Sequence, residues 1–168
     1  MRPAPLQRAR DRLDTITGVG KRAAETIIAE IGVDMSRFPT AAHLASWAGM
    51  APGTNITGGK RQSGKTTKGD LWLRDILTQC AWGAARTRDT YLSAQFWRLA
   101  RRIGKKKAAI AVGHSILVIC WHLLTQDCDY DDLGGDYFTR RTNPDRYRDR
   151  LIQQLHGLGY HVTLKPAA

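Results

Sequence analysis

The sequence predicts a mainly α protein: a helix–hairpin–helix element followed by a helical bundle, with an irregular basic loop and one candidate short strand near the C-terminus. Three observations predict it. From Leu73 onward, Leu73, Ile76, Leu77, Cys80, Ala81 and Ala84 recur at the spacing of one helix face. The run from Ala108 to Leu124 is apolar, interrupted by His114, Ser115 and His122. That is the pattern of a central helix packed all round, and it is shorter than the roughly 20 apolar residues that span a bilayer. Residues 50–69 show no hydrophobic period and read as loop or irregular hairpin.

The elements follow in order. Leu6 to Thr15 reads as a short charged helix, residues 16–20 as a tight turn, and Lys21 to Ile31 as a second helix ended by Gly32. Thr40 caps a short helix through Trp47, stopped by Gly49. After the basic loop and the Leu73 helix, Leu92, Phe96, Leu99 and Ile103 mark another, and the central helix runs from about Lys106 to Leu124. The acidic stretch Asp127 to Gly135, with Asp129-Tyr130-Asp131-Asp132, reads as a solvated boundary. Asn143-Pro144-Asp145 starts a last helix, because Asn caps, Pro fits the first turn and Asp suits the positive dipole end. Tyr160 to Leu164 alternates like an edge strand. The expected organisation is a helix–hairpin–helix element at 1–33, a helical core at 34–128 holding the loop 52–69, and a helical tail at 129–168.

Charge points to the partner. The formal net charge is +11, from 26 Lys and Arg against 15 Asp and Glu. It clusters at 60–68, 98–107 and 140–150. Clustered cations favour a polyanion, bound by steeply salt-dependent counterion release. The odd trio Cys80, Cys120 and Cys128 contains no CxxC pair and suits buried thiols in a reducing cytosol. The start Met1-Arg2-Pro3-Ala4-Pro5 is not a signal peptide. The five histidines have no metal-ligand spacing with the cysteines, and His114 and His122 read as core residues. Helical phasing puts most of the five tryptophans in the core, with Trp72 the exception beside the loop.

Two motifs carry the chemistry. Leu13-x-x-Ile16-x-Gly18-Val19-Gly20-x-x-x-Ala24-x-x-Ile27-Ile28 fits a helix–hairpin–helix DNA-binding pattern. Its glycines turn backbone N–H groups outward. The next helix offers a positive N-terminus to a phosphate, with Lys21 and Arg22 adding charge. Such a contact reads backbone and not base sequence. The rival reading is an ordinary αα-hairpin with a glycine turn. The second motif, Thr57 to Gly69, holds four cations, four glycines, four hydroxyls and no acid. Glycines let N–H groups approach a phosphate, cations neutralise it, and a hydroxyl can attack it. Its rival is a phosphate-binding hairpin without chemistry.

From Pro52 to Arg74 the chain resembles the signature of the IS110 transposase family, grouped with the IS116 and IS902 elements. Leu44-Ala45-Ser46-Trp47-Ala48-Gly49-Met50-Ala51-Pro52, Tyr137 to Pro144 and Leu158 to Leu164 extend the likeness over about residues 10–166. The resemblance implies the C-terminal transposase domain of a bridge-RNA-guided, serine-type recombinase acting in DNA transposition. It implies a partner RuvC-like half holding Mg²⁺ on carboxylates, a homo-oligomer with composite sites, DNA and a guide RNA as partners, and a prokaryotic cytoplasmic, nucleoid-associated setting. No metal or cofactor is expected in this chain, and no membrane. The family's nucleophilic serine falls on Thr57, followed by Gly58, Gly59 and Lys60; a shifted register would make it Ser63. Lys60, Arg61, Lys65, Lys68 and Arg74 are the expected phosphate ligands, with Gly18, Gly20, Lys21 and Arg22 on the DNA backbone. The alternative is a non-catalytic helix–hairpin–helix module that binds DNA or RNA.

Overall fold

Four of the helices begin where a polar side chain accepts a free N–H of the first turn. Thr40 caps α3 (Ala41–Trp47), Asp70 caps α4 (Leu71–Arg86), Thr90 caps α5 (Tyr91–Ile103) and Asn143 caps α8 (Pro144–Gly157). Each such cap contributes about 1 kcal/mol. The remaining helices are α1 (Pro5–Leu13), α2 (Lys21–Ile31), α6 (Lys105–Gln126) and α7 (Tyr137–Arg140), with a 3-10 turn at Met35–Arg37. The computed structural model describes residues 5–51, 56–61, 69–141 and 143–165, with only the backbone of Ile56, Thr57 and Arg61. Among the described residues the architecture is mainly α.

The core is built around α6, which packs on α3, α4 and α5. Its length and hydropathy would suit a membrane span. Here its apolar character is explained by three neighbouring helices, against which Val112, Ile116, Leu117 and Cys120 are fully buried. Gly113 lets it cross close to α4, since a Cβ there would lie 3.2 Å from the Leu77 carbonyl oxygen. The stripe read on α4 faces this core: Leu73, Leu77, Cys80, Ala81 and Ala84 are buried, and Ile76 packs at its edge. The α1–α2 pair buries Leu13, Ile16, Val19, Ala24, Ile27 and Ile31 and rests on α4 and α6.

Several expectations are corrected. Residues 160–165 form no strand; the chain leaves α8 through a Gly159 turn at positive φ and runs on without a pairing partner among the described residues. The basic loop begins as a hairpin, one of the two forms read from its sequence. Strands β1 (Ile56–Thr57) and β2 (Lys60–Arg61) pair antiparallel, Thr57 opposite Lys60. Gly58 and Gly59 both have positive φ, 59° and 74°, the requirement of a two-residue type I′ connection. Trp82 and Trp121 pack on the core, but Trp47 and Trp97 are 44 % exposed and Trp72 77 %. On α5 the neighbouring Phe96 takes the inward position, leaving Trp97 at the surface. His122 is likewise exposed; His114 is half-buried, and burial lowers its pKa.

In the acidic stretch Asp127, Asp129 and Asp131 are exposed, as a solvated loop requires, but Asp132 is partly buried. Asp132 accepts hydrogen bonds from the Tyr91 N–H (2.9 Å), the Gly134 N–H (2.8 Å), the Thr17 hydroxyl (3.1 Å) and the Tyr130 hydroxyl (3.2 Å). The Tyr130 N–H donates to the Thr15 hydroxyl, and Arg12 pairs with Asp127. The segment after α6 therefore straps the α1–α2 hairpin to the start of α5.

Of the cysteines, Cys80 and Cys120 are buried but Cys128 is exposed. It follows Asp127, whose left-handed backbone (φ 54°) ends α6 and turns the chain outward. Burial pushes the Cys80 thiol up to about 11 and raises that of Cys120 as well. One thiol per chain should therefore react with a disulfide reagent under native conditions, and none in Cys128→Ser. Fast reaction of a second native thiol would contradict the burial.

Candidate nucleic-acid interface

The hairpin motif forms as its spacing predicts, but its two glycines do different things. Gly18 has φ +87°, and its Cα is pressed on α4: a Cβ there would fall within contact distance of the Cys80 carbonyl oxygen and the Ala84 nitrogen. Gly83 of α4 completes the seat, its own Cβ direction meeting the Gly18 backbone at 3.3 Å. Gly20 faces open space and precedes α2 without a side-chain cap. Lys21 and Arg22 are exposed on the first turn of α2, which contains no acid.

That arrangement opposes local electrostatics, because a helix N-terminus carries partial positive charge and favours anions. The same holds at α6, which starts Lys105-Lys106-Lys107 after uncapped Gly104. An external anion resolves both conflicts. Lys21→Glu should accordingly raise thermal stability at low salt by up to about 1 kcal/mol. A variant less stable than the parent would show that Lys21 is structural.

The basic loop lies at the other end of α2. Glu30, in the last turn of α2, meets Asp70 at the start of α4; hydrogen bonding to Asp70, then loss of water, then its charge raise the Glu30 pKa. With 11 residues in α2, hairpin and loop base stand about 16 Å apart. Gly69 closes the loop at its base, since a Cβ there would overlap the Ala48 and Gly49 backbone. Beside it Trp72 is exposed, and Arg74 makes no ion pair among the described residues. Gly58, Gly59 and Lys60 are exposed at the hairpin. Ser63, Lys65 and Lys68 lie outside the described residues, as do the side chains of Thr57 and Arg61. Among the described residues, Gly20, Lys21 and Arg22 stand at the start of α2, and Gly69 and Arg74 lie toward its other end. Among the described residues no group of three or more His, Cys, Asp or Glu could hold a metal ion.

The family described as Transposase IS116/IS110/IS902 matches residues 10–98, more than half of the chain. The chain belongs to this family. Among its relatives, the putative transposase y4pF/y4sB of Sinorhizobium fredii is 32 % identical over 129 residues, covering 74 % of this chain and 33 % of the relative. The IS1111A insertion-sequence transposase of Coxiella burnetii is 28 % identical over 123 residues, 71 % of this chain and 34 % of the relative. The uncharacterized 43.6 kDa protein of insertion element IS110 from Streptomyces coelicolor is 50 % identical over 46 residues, 27 % of this chain and 11 % of the relative. The chain thus spans at most about a third of the length of these members of the family. The matched region contains both the hairpin and the basic loop.

Proposed function

We propose that this chain is the DNA-binding, nucleophile-bearing part of an insertion-sequence transposase and acts in DNA transposition. The observation that carries the reading is the Thr57-Gly58-Gly59-Lys60 turn, which sets Thr57 across the hairpin from Lys60 within the region the family shares. The hairpin at Gly20, Lys21 and Arg22 holds one stretch of DNA backbone and the loop holds another. The Thr57 hydroxyl oxygen attacks a backbone phosphorus as it gives up its proton to solvent, a phosphodiester to the protein forms, and the deoxyribose oxygen leaves with the electrons of the broken P–O bond and takes a proton from solvent to become a free hydroxyl. Lys60, Arg61, Lys65, Lys68 and Arg74 bear the charge that builds on the phosphoryl oxygens.

The described residues do not fit Mg²⁺, so no step is assigned to a metal held by this chain. In this reading the metal belongs to a carboxylate half outside these residues, and a guide RNA and a homo-oligomer complete the assembly. The test supplies that half and a DNA substrate and looks for a covalent protein–DNA adduct on a denaturing gel. Thr57→Ser should keep the adduct, and Thr57→Val should lose it by a factor of about 100 or more, as for removal of an attacking group. An adduct that survives Thr57→Val but not Ser63→Ala moves the nucleophile to Ser63. No adduct with any form, while DNA binding persists, leaves a non-catalytic binding module.

A further inference from the structure

We infer that the cleft between α5 and the α7–α8 tail is a separate binding site for single-stranded nucleic acid. The cleft has a volume of about 840 Å³ and contains Arg98, Arg101, Arg141 and Arg150, with no acid lining it among the described residues. Three of these arginines, all but Arg101, are set on aromatic rings. Arg98 stands 4.2 Å from the Phe138 ring centre, and Phe138 stacks on Tyr91 at 5.3 Å. Arg141 lies over Tyr137 and donates a 2.6 Å hydrogen bond to its hydroxyl, and Arg150 lies over Tyr147. Trp97, held by its indole N–H on the Ala85 carbonyl (3.0 Å), leaves part of its ring facing the cleft.

Charge on the tail is sorted. Asp136 is taken up by Arg140, and Asp145 and Asp149 by Arg148. None of the four cleft arginines forms an ion pair among the described residues. Four guanidinium groups, three of them held over ring faces, suit a ligand that alternates phosphate with planar bases. Unpaired bases can stack on the indole and on the outer guanidinium faces while the phosphates meet the charges. A duplex keeps its bases in its own stack and leaves the aromatic platform unused.

This site rests on the reading that the chain handles nucleic acid, yet it can fail independently of the hairpin and loop. The test measures binding of labelled, unstructured single-stranded RNA, single-stranded DNA and duplex DNA to the full chain at one salt concentration. Arg98→Gln with Arg150→Gln should weaken single-strand binding roughly tenfold or more, and Trp97→Leu, which keeps the charge, by roughly tenfold. Duplex binding should change no more than in the equal-charge control Arg140→Gln with Arg148→Gln. A preference for RNA or for DNA among the single strands names the source of the ligand. The proposal is overturned if single-strand affinity falls no further than in the control, or if duplex affinity falls in step with it. Loss of duplex binding confined to Lys21 and Lys60 variants bears on the proposed function and not on the cleft.

Discussion

Gly18→Ala is expected to destabilise the protein by at least about 3 kcal/mol, a large part of the total stability of a domain this size. Two costs add. The residue sits at φ +87°, where an L side chain is strained, and its Cβ would enter the Cys80 carbonyl and the backbone of Ala84. Those are backbone atoms of a helix seated in the core, so relief requires the whole α1–α2 unit to lift from α4. Gly20→Ala is the contrast. Gly20 has φ −90° and nothing within 4 Å of the added methyl, so its urea midpoint should move by less than about 1 kcal/mol equivalent. Equal midpoints for the two variants would mean that α4 is not the seat of the hairpin. The pair also decides how DNA contact should be probed. A Gly18 variant that binds poorly reports unfolding, whereas a Gly20 variant reports the approach of a ligand to the free N–H groups of α2.

Asp132→Ala should cost about 3 kcal/mol. It removes the acceptor for four groups at once, among them the Tyr91 N–H, and unmade hydrogen bonds at partly buried sites cost about 1–3 kcal/mol each. Asp132→Asn keeps the oxygen that serves Tyr91 and Gly134, and both the Thr17 and Tyr130 hydroxyls can accept from its amide. Its loss should be about 1 kcal/mol. Denaturant unfolding of both variants separates the hub from a simple surface charge: equal, small losses would mean that the strap contributes little. A larger rise in amide exchange across 15–20 and 90–93 than in α6 would locate the loosening at the strap.

What the sequence shows and what it hides divide along contact distance. The stripe on α4 and the mini-core of the hairpin repeat within a few residues, so Leu73, Leu77, Ile16 and Ile27 are legible from spacing alone. The caps Thr40 and Asn143 are legible for the same reason. Gly18 and Gly20 look alike locally, and only the α4 backbone, more than sixty positions later in the chain, distinguishes a packing glycine from an exposed one. Asp132 reads as one more acid in a polar stretch because its partners Thr17 and Tyr91 lie 115 and 41 residues away. The turn at Gly58-Gly59 is a local feature with a local signal, since adjacent glycines between hydroxyl and basic residues are the turn chemistry of a short hairpin. The α5–tail cleft leaves only its charge clusters at 98–107 and 140–150 in the sequence; their convergence is tertiary.

The contact of Gly69 with Ala48 and Gly49 staples the two ends of region 51–69 to each other. The chain leaves the bundle after Gly49 and returns to the same point at Gly69, so the two ends are held together. Loop entropy grows slowly, by about 0.6 kcal/mol for each doubling. Changes of length between these fixed ends should therefore cost the fold little through loop entropy. Gly69 itself is the staple, and a side chain there should prise the ends apart.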